Sequence, residues 1–248
     1  MRTIVLFLIL LGCGTSHITA QNDYLVTTIP NQEDPLSEEE QFIKENFPLQ
    51  LLCKWTPGMK FMFIPSGRDM FLPTLSVYET EKGADNSVLK HKILTFAGYE
   101  EKSQKLSNDM SYSTRLIFEC DGEKYYYEIK NTRPDEICEK NPRAYINGLV
   151  NLKDVDTAKD LLTGRKIYVQ SDMAQVDDAN SYSGYREVSI PVNTEATITA
   201  IGVGSQAYPV KIIFQDSQGH TYYLEVALSR TNSGMDVKIG RASCRERV

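Results

Sequence analysis

Two stretches decide the fold: Arg115-Leu116-Ile117-Phe118-Glu119-Cys120-Asp121-Gly122-Glu123-Lys124-Tyr125-Tyr126-Tyr127-Glu128-Ile129 and Lys211-Ile212-Ile213-Phe214-Gln215-Asp216-Ser217-Gln218-Gly219-His220-Thr221-Tyr222-Tyr223-Leu224-Glu225-Val226. A basic residue, an apolar pair, Phe, a polar stretch with Gly, Tyr-Tyr, Glu and a branched aliphatic recur in the same order. Each stretch reads as a β-hairpin, two apolar runs around an Asp- and Gly-bearing turn. Successive strand residues face opposite sides of a sheet. Leu116, Phe118, Cys120, Tyr125, Tyr127 and Ile129 therefore share one face, matched by Ile212, Phe214, Tyr222, Leu224 and Val226, and these are the expected core faces. Tyr126 with Glu128, and Tyr223 with Glu225, point the other way. An outward Tyr at the same place in both copies reads as a ligand platform, since it offers area and a polar tip. It reads equally as cover for a neighbouring strand or for the other copy, the more ordinary role for a lone aromatic.

Upstream of the hairpins the likeness continues. Leu94-Thr95-Phe96-Ala97-Gly98 pairs with Ile198-Thr199-Ala200-Ile201-Gly202, and Gly58-Met59-Lys60-Phe61-Met62-Phe63 with Gly164-Arg165-Lys166-Ile167-Tyr168-Val169. Read this way the offsets are 106, 104 and 96, which places deletions in the loops of the second copy. Three matches in one order predict a duplication. Each copy carries a further strand, near Leu72–Tyr78 in the first and Arg186–Val192 in the second. The expected fold is mainly β: two similar small β-barrel domains in tandem, with one or two short helices. One helix starts at Ser37, with Glu40 three residues on as a capping box, and stops at Pro48; the other runs from about Asp154 to Gly164. The organisation read from the chain is a signal peptide at 1–20, a leader with a short helix at 21–48, the first β-copy at 49–131, a connector with a short helix at 132–163, the second β-copy at 164–238, and a foreign tail at 239–248.

The two ends are set aside before the fold is considered. Met1-Arg2-Thr3, an apolar run over Ile4–Leu11 and small residues up to Ala20 have the pattern of an export signal, too short for a membrane-spanning helix. Cleavage after Ala20 gives a soluble exported protein. The alternative is Leu10-Leu11-Gly12-Cys13, a lipobox-like string that would lipidate Cys13 and make membrane contact through that anchor alone. At the other end, Ile239-Gly240-Arg241-Ala242-Ser243-Cys244-Arg245-Glu246-Arg247-Val248 resembles a DNA-sequencing adapter translated in one frame, so it is expected to be non-native, and the natural protein is expected to continue differently after Lys238. Of the 27 Lys+Arg and 33 Asp+Glu, Arg2, Arg241, Arg245, Arg247 and Glu246 fall in these ends, which leaves 23 against 32, a net charge of −9. No basic stripe exists to neutralise phosphates, so nucleic acid is excluded as a partner.

Three histidines, His17, His91 and His220, leave little for metal or general-base chemistry. No C-x-x-C zinc spacing, D-x-D-x-D-G calcium loop or G-x-S-x-G elbow occurs, and Asp177-Asp178 reads as a solvated acidic loop. Export permits disulfides. Cys53 and Cys138 bracket the first copy and are the expected pair, leaving Cys120 buried and free near a hairpin tip. Trp55, the only Trp, reads as a core plug at a barrel end, with a groove-lining role as the alternative. No cofactor, metal or catalytic residue is expected.

Gly-Lys-aliphatic in the first strand, a long loop and three packed strands resemble the Src-homology-three-like barrels of exported bacterial proteins, over Gly58–Ile129 and Gly164–Val226. The resemblance implies binding of peptides or cell-wall fragments, and the export pattern implies the periplasm or cell exterior, or the outer membrane if Cys13 is lipidated. The function expected is non-catalytic binding of an envelope protein, peptide or glycan, with Tyr126, Tyr223 and Trp55 as ligand-surface candidates. Two other classes stay open: a structural or assembly component of an envelope complex, and a hydrolase with a cryptic site.

Overall fold

The computed structural model describes residues 37–65, 72–106, 109–181 and 183–232. Residues 1–20, read above as an export signal, Cys13 among them, and residues 239–248, read as an adapter-like tail, lie outside them. The chain is mainly β, with two six-stranded sheets, one of them curled into a half-barrel. Both sheets fall within one compact unit.

The first sheet contains β1 (Lys60–Phe63), β2 (Ser76–Val77), β3 (Ile93–Leu106), β4 (Asp109–Cys120), β5 (Glu123–Lys130) and β6 (Leu149–Asn151), in the order β2-β5-β4-β3-β1-β6. The second contains β7 (Lys166–Val169), β8 (Met173–Asp177), β9 (Tyr185–Ser189), β10 (Thr194–Val203), β11 (Val210–Asp216) and β12 (Thr221–Val226), in the order β7-β10-β11-β12-β8-β9. Without β6 and β9 the two orders are the same, strand for strand: β1-β3-β4-β5-β2 and β7-β10-β11-β12-β8.

Hydrogen bonds fix the correspondence residue by residue. The Gly58 N–H donates to the Phe96 carbonyl and the Phe96 N–H to the Met59 carbonyl, both at 2.8 Å. In the second sheet Gly164 donates to Ile198 at 2.8 Å and Ile198 to Arg165 at 2.9 Å. Each long strand then slips by one residue, between Phe96 and Gly98 in β3 and between Ile198 and Ala200 in β10. Phe96 therefore corresponds to Ile198 and the bulged Ala97 to Thr199. This corrects the middle offset from 104 to 102, because the sequence match had aligned Phe96 with Ala200. A second correction concerns the intervening strand. The strand near Arg186 exists as β9, but it is β8 that occupies the place of β2 beside the hairpin.

Local chemistry accounts for the elements. The β4–β5 turn is Asp121-Gly122, both at positive φ (52° and 85°), the backbone a two-residue hairpin turn requires. The β11–β12 turn is longer, and Asp216 Oδ1 ties it by accepting from the N–H groups of Gln218 and His220, both at 2.9 Å. Helix α1 (Glu38–Asn46) has the reciprocal capping box: Glu40 N–H donates to Ser37 Oγ at 3.2 Å and Ser37 N–H to Glu40 Oε2 at 2.9 Å. Two four-residue helices follow, α2 (Asn86–Leu89) and α3 (Ile137–Lys140). Helix α4 (Leu152–Leu162) begins two residues before the expected Asp154, because Asn151 Oδ1 takes the Lys153 N–H at 3.1 Å and caps it there.

Each sheet has its own core. Phe61, Phe63, Phe96 and Phe118 centre the first; Ile167, Ala196, Ile198 and Phe214 the second. The connector joins them through β6, which pairs antiparallel with β1 and alternates Leu149 into the first core with Val150 into the second. Ile43 of α1 and Phe47, its C-cap residue, also pack into the second core. Gly148, at φ +78°, brings this turn so near Phe63 that a Cβ would lie 2.8 Å from the ring.

Candidate functional site

The hairpins carry the same outer-face arrangement in both sheets. In the first, Arg115 of β4 lies over Tyr126 of β5, its guanidinium carbon 4.1 Å from the ring centroid. In the second, Lys211 of β11 lies over Tyr223 of β12, its Nζ 3.5 Å from the centroid. Each cation meets an acid from the neighbouring edge, Arg115 to Glu81 at 2.7 Å and Lys211 to Asp177 at 3.5 Å. The recurring basic residue and Tyr seen in the sequence are thus one cation–π unit used twice. Both rings lie beneath their cations, Tyr126 at 5% and Tyr223 at 8% exposure, so neither is a bare platform.

Around this shared unit the copies differ. On the first sheet the outer face is closed by its own side chains. Glu81 accepts from Arg115 and from Lys102 (2.9 Å), and these bonds hold its carboxyl down at about 2. The Tyr78 hydroxyl donates to Glu100 at 2.8 Å, while its ring meets Tyr126 edge-on. Ser113 donates to Glu128 at 2.8 Å. The β2 edge is covered too, by a bridge from Ser76 to Gly83 in the loop that follows.

On the second sheet the corresponding face holds a cleft of about 300 Å³, lined by Met173, Ala174 and Gln175 of β8, Tyr185 and Glu187 of β9, Leu224 and Glu225 of β12, and Tyr208. Tyr208 is 52% and Met173 39% exposed, large apolar surfaces turned to solvent beside two carboxylates. The loop that carries Tyr208 is tightly made. Gly204 N–H donates to the Pro209 carbonyl at 3.0 Å, Tyr208 N–H to Ser205 Oγ at 3.3 Å, and Ser205 N–H to Glu225 Oε2 at 3.2 Å. Gly204 has no room for a side chain, because a Cβ there would collide with the Tyr208 carbonyl and crowd Glu225. Neither Glu187 nor Glu225 forms an ion pair among the described residues. Lys211 is already held by Asp177 and Tyr223, and Arg186 lies 3.9 Å from Asp178.

The other candidates sit elsewhere. Trp55, 3% exposed, packs 4.4 Å from the Phe61 ring and donates its indole N–H to the Gln50 carbonyl at 3.1 Å, which makes it a core residue of the first sheet. Cys53 and Cys138 are joined in a disulfide that ties the turn Leu52–Lys54 to α3. Cys120 is a buried free thiol, and burial pushes it up, away from the thiolate a nucleophile needs. His220 is a turn residue, its Nδ1 3.1 Å from Asp216 Oδ2. Among the described residues no group of three His, Cys, Asp or Glu converges as metal ligands.

One more polar cluster lies between the sheets. Asp154 of α4 is buried and accepts a hydrogen bond from Ser229 Oγ. Asn232 Oδ1 accepts from the Asn151 N–H at 3.2 Å, and Gln206 Oε1 from the Gly148 N–H at 2.9 Å. Ser229 and Asn232 thus fasten the segment after β12, and Gln206 the loop between β10 and β11, to the connector and α4, and among the described residues no histidine is hydrogen-bonded to Ser229.

The sequence named Glu225 as outward-facing but missed Met173, Gln175, Tyr185, Glu187 and Tyr208. A signal for β8 was available in the alternation of Met173-Ala174-Gln175-Val176-Asp177, with 174 and 176 apolar. Comparison with protein-family models, with curated proteins and with solved structures found no match for this chain.

Proposed function

We propose that this chain is an exported, non-catalytic binding protein of the bacterial cell envelope, built from two copies of a small Src-homology-three-like β-unit, and that its ligand sits in the cleft on the outer face of the second sheet. The difference between the copies carries this reading. The first sheet ties Arg115 to Glu81, Tyr78 to Glu100 and Ser113 to Glu128 across its outer face, whereas the second leaves Met173, Tyr208 and Glu187 exposed, with a half-buried Glu225, around a concavity. Apolar area with a few convergent polar groups is the usual make-up of a binding site. The duplicated unit supplies a rigid frame in which one copy is closed and the other is left to bind.

The test is an NMR titration of the isotope-labelled full chain with two millimolar probes, a short Thr/Lys peptide and chitotetraose. Shifts at Met173, Gln175, Glu187, Tyr208 and Glu225 with either probe, abolished by Tyr208→Ala with Met173→Ala, are expected. Absence of any cleft shift with both probes refutes the assignment. Export is tested separately by cell fractionation, with Cys13→Ser separating a lipid anchor from a soluble product.

A further inference from the structure

We infer that the occupant of this cleft is an extended cationic peptide that adds as a strand to the free edge of β9 and places a Lys or Arg side chain against Glu187; this rests on the binding reading above. The edge comes first. Strand β9 ends the second sheet among the described residues, with β8 on its inner side only. Its register decides which backbone groups are free. Ile190 N–H donates to the Asp172 carbonyl at 3.0 Å, and Asp178 N–H to the Gly184 carbonyl at 2.8 Å. Antiparallel pairs alternate between bonded and non-bonded. Residues 184, 186, 188 and 190 therefore bond inward, and Tyr185, Glu187 and Ser189 aim their N–H and C=O groups away from the sheet. The Tyr185 carbonyl accepts from Ser183 Oγ at 3.0 Å, while the amides and carbonyls of Glu187 and Ser189 have no partner among the described residues.

The same alternation puts the side chains of Tyr185 and Glu187 on the cleft face. An added strand would place the residue opposite Glu187 on that face as well. The open edge and the cleft thus belong to one surface, the edge supplying main-chain bonds and the cleft a pocket for one side chain. The corresponding edge of the first sheet is denied to a partner, since β2 is two residues long and bridged by Gly83.

Charge selects the occupant. Glu187 and Glu225 lack ion pairs among the described residues; Lys211, the cross-strand neighbour of Glu225, lies 3.5 Å from Asp177, and Arg186 points to the opposite face of β9 from Glu187. A long aliphatic stem ending in a cation matches the Met173 and Tyr208 surfaces beside these carboxylates. Glu187 adjoins the incoming strand, whereas Glu225 lies two strands further in, on β12, and acts through its field. The net charge of −9 between the two ends favours the encounter with a cationic partner.

The experiment titrates the full chain with acetyl-Thr-Lys-Thr-Lys-Thr-amide, the same peptide methylated on alternate backbone nitrogens, its Glu counterpart, and chitotetraose. The Lys peptide is expected to bind, to protect the Glu187 and Ser189 amides from hydrogen exchange, and to lose affinity on methylation. At low salt Glu187→Gln should weaken it about fivefold and Glu225→Gln less, the scale of a partly exposed ion pair. Binding unaffected by methylation overturns strand addition, and equal binding of the Glu peptide overturns the charge argument. Cleft shifts with chitotetraose but not with the peptide overturn this inference while leaving the cleft as a site; no shift with either probe removes both.

Discussion

Asp154 gives the sharpest test of how the sheets are held. Its carboxyl is buried under the segment that follows β12, and burial pushes its pKa from 3.8 to about 6, against smaller lowering effects of Ser229 and Lys153. The folded protein therefore holds this proton to higher pH than the unfolded chain does. The sign follows: the contribution is fully present below pH 3.8, is lost as pH rises toward 6, and is gone above it. At about 1.4 kcal/mol per pH unit, the gap is worth about 3 kcal/mol. Asp154→Asn keeps a hydrogen-bond acceptor for Ser229 and removes the titration. The variant is expected to gain up to about 3 kcal/mol over wild type at pH 7 and little at pH 4. Urea unfolding followed by far-ultraviolet circular dichroism at intervals from pH 4 to 7 measures this. Subtracting variant from wild type cancels every other carboxylate, Glu81 included. A difference that stays flat across this range refutes the reasoning.

Three further outcomes are expected. Replacing Cys53 and Cys138 by Ser opens a link across 85 residues and should cost up to about 4–5 kcal/mol by the chain-entropy relation, read as a fall in the urea midpoint under oxidising conditions. Arg115→Ala should destabilise by about 2 kcal/mol and Lys211→Ala by less, because the Arg115 side chain is 5% exposed and the Lys211 side chain 25%. Thermal unfolding of the two variants decides the order, and the reverse order contradicts the view that the first face is closed and the second open. Gly148→Ala forces a Cβ against Phe63 at positive φ and should cost about 1–3 kcal/mol, seen as a lowered melting temperature.

The hairpins were legible because period-two alternation and Asp121-Gly122 are local signals, and α1 because Ser37 and Glu40 form a complete cap within four residues. The β10 correspondence was misread because a bulge residue carries no mark of its own: Ala97 and Thr199 share no chemistry, yet both displace the ladder by one position. Strand β6 was hidden in a connector, since three residues are too few to show a period, and its role depends on β1 lying beside it. The cleft could not be read from the chain at all. Its walls come from β8, β9, β12 and the Tyr208 loop, and only the sheet order brings Met173 beside Glu225. Tyr126 and Tyr223 were correctly placed outward, but the cations above them come from the facing strand, and it is register that decides such a meeting.

The central claim is that one β-unit is used twice with one strand order. Cross-strand amide contacts measured by NMR on the full chain test it most directly. The account predicts that Phe96 pairs with Met59 and Ile198 with Arg165, and that β8 joins β12 through Tyr223 and Gln175 as β2 joins β5 through Tyr126 and Ser76. Finding Ala200 in the place of Ile198, or β12 without β8 at its side, would contradict it.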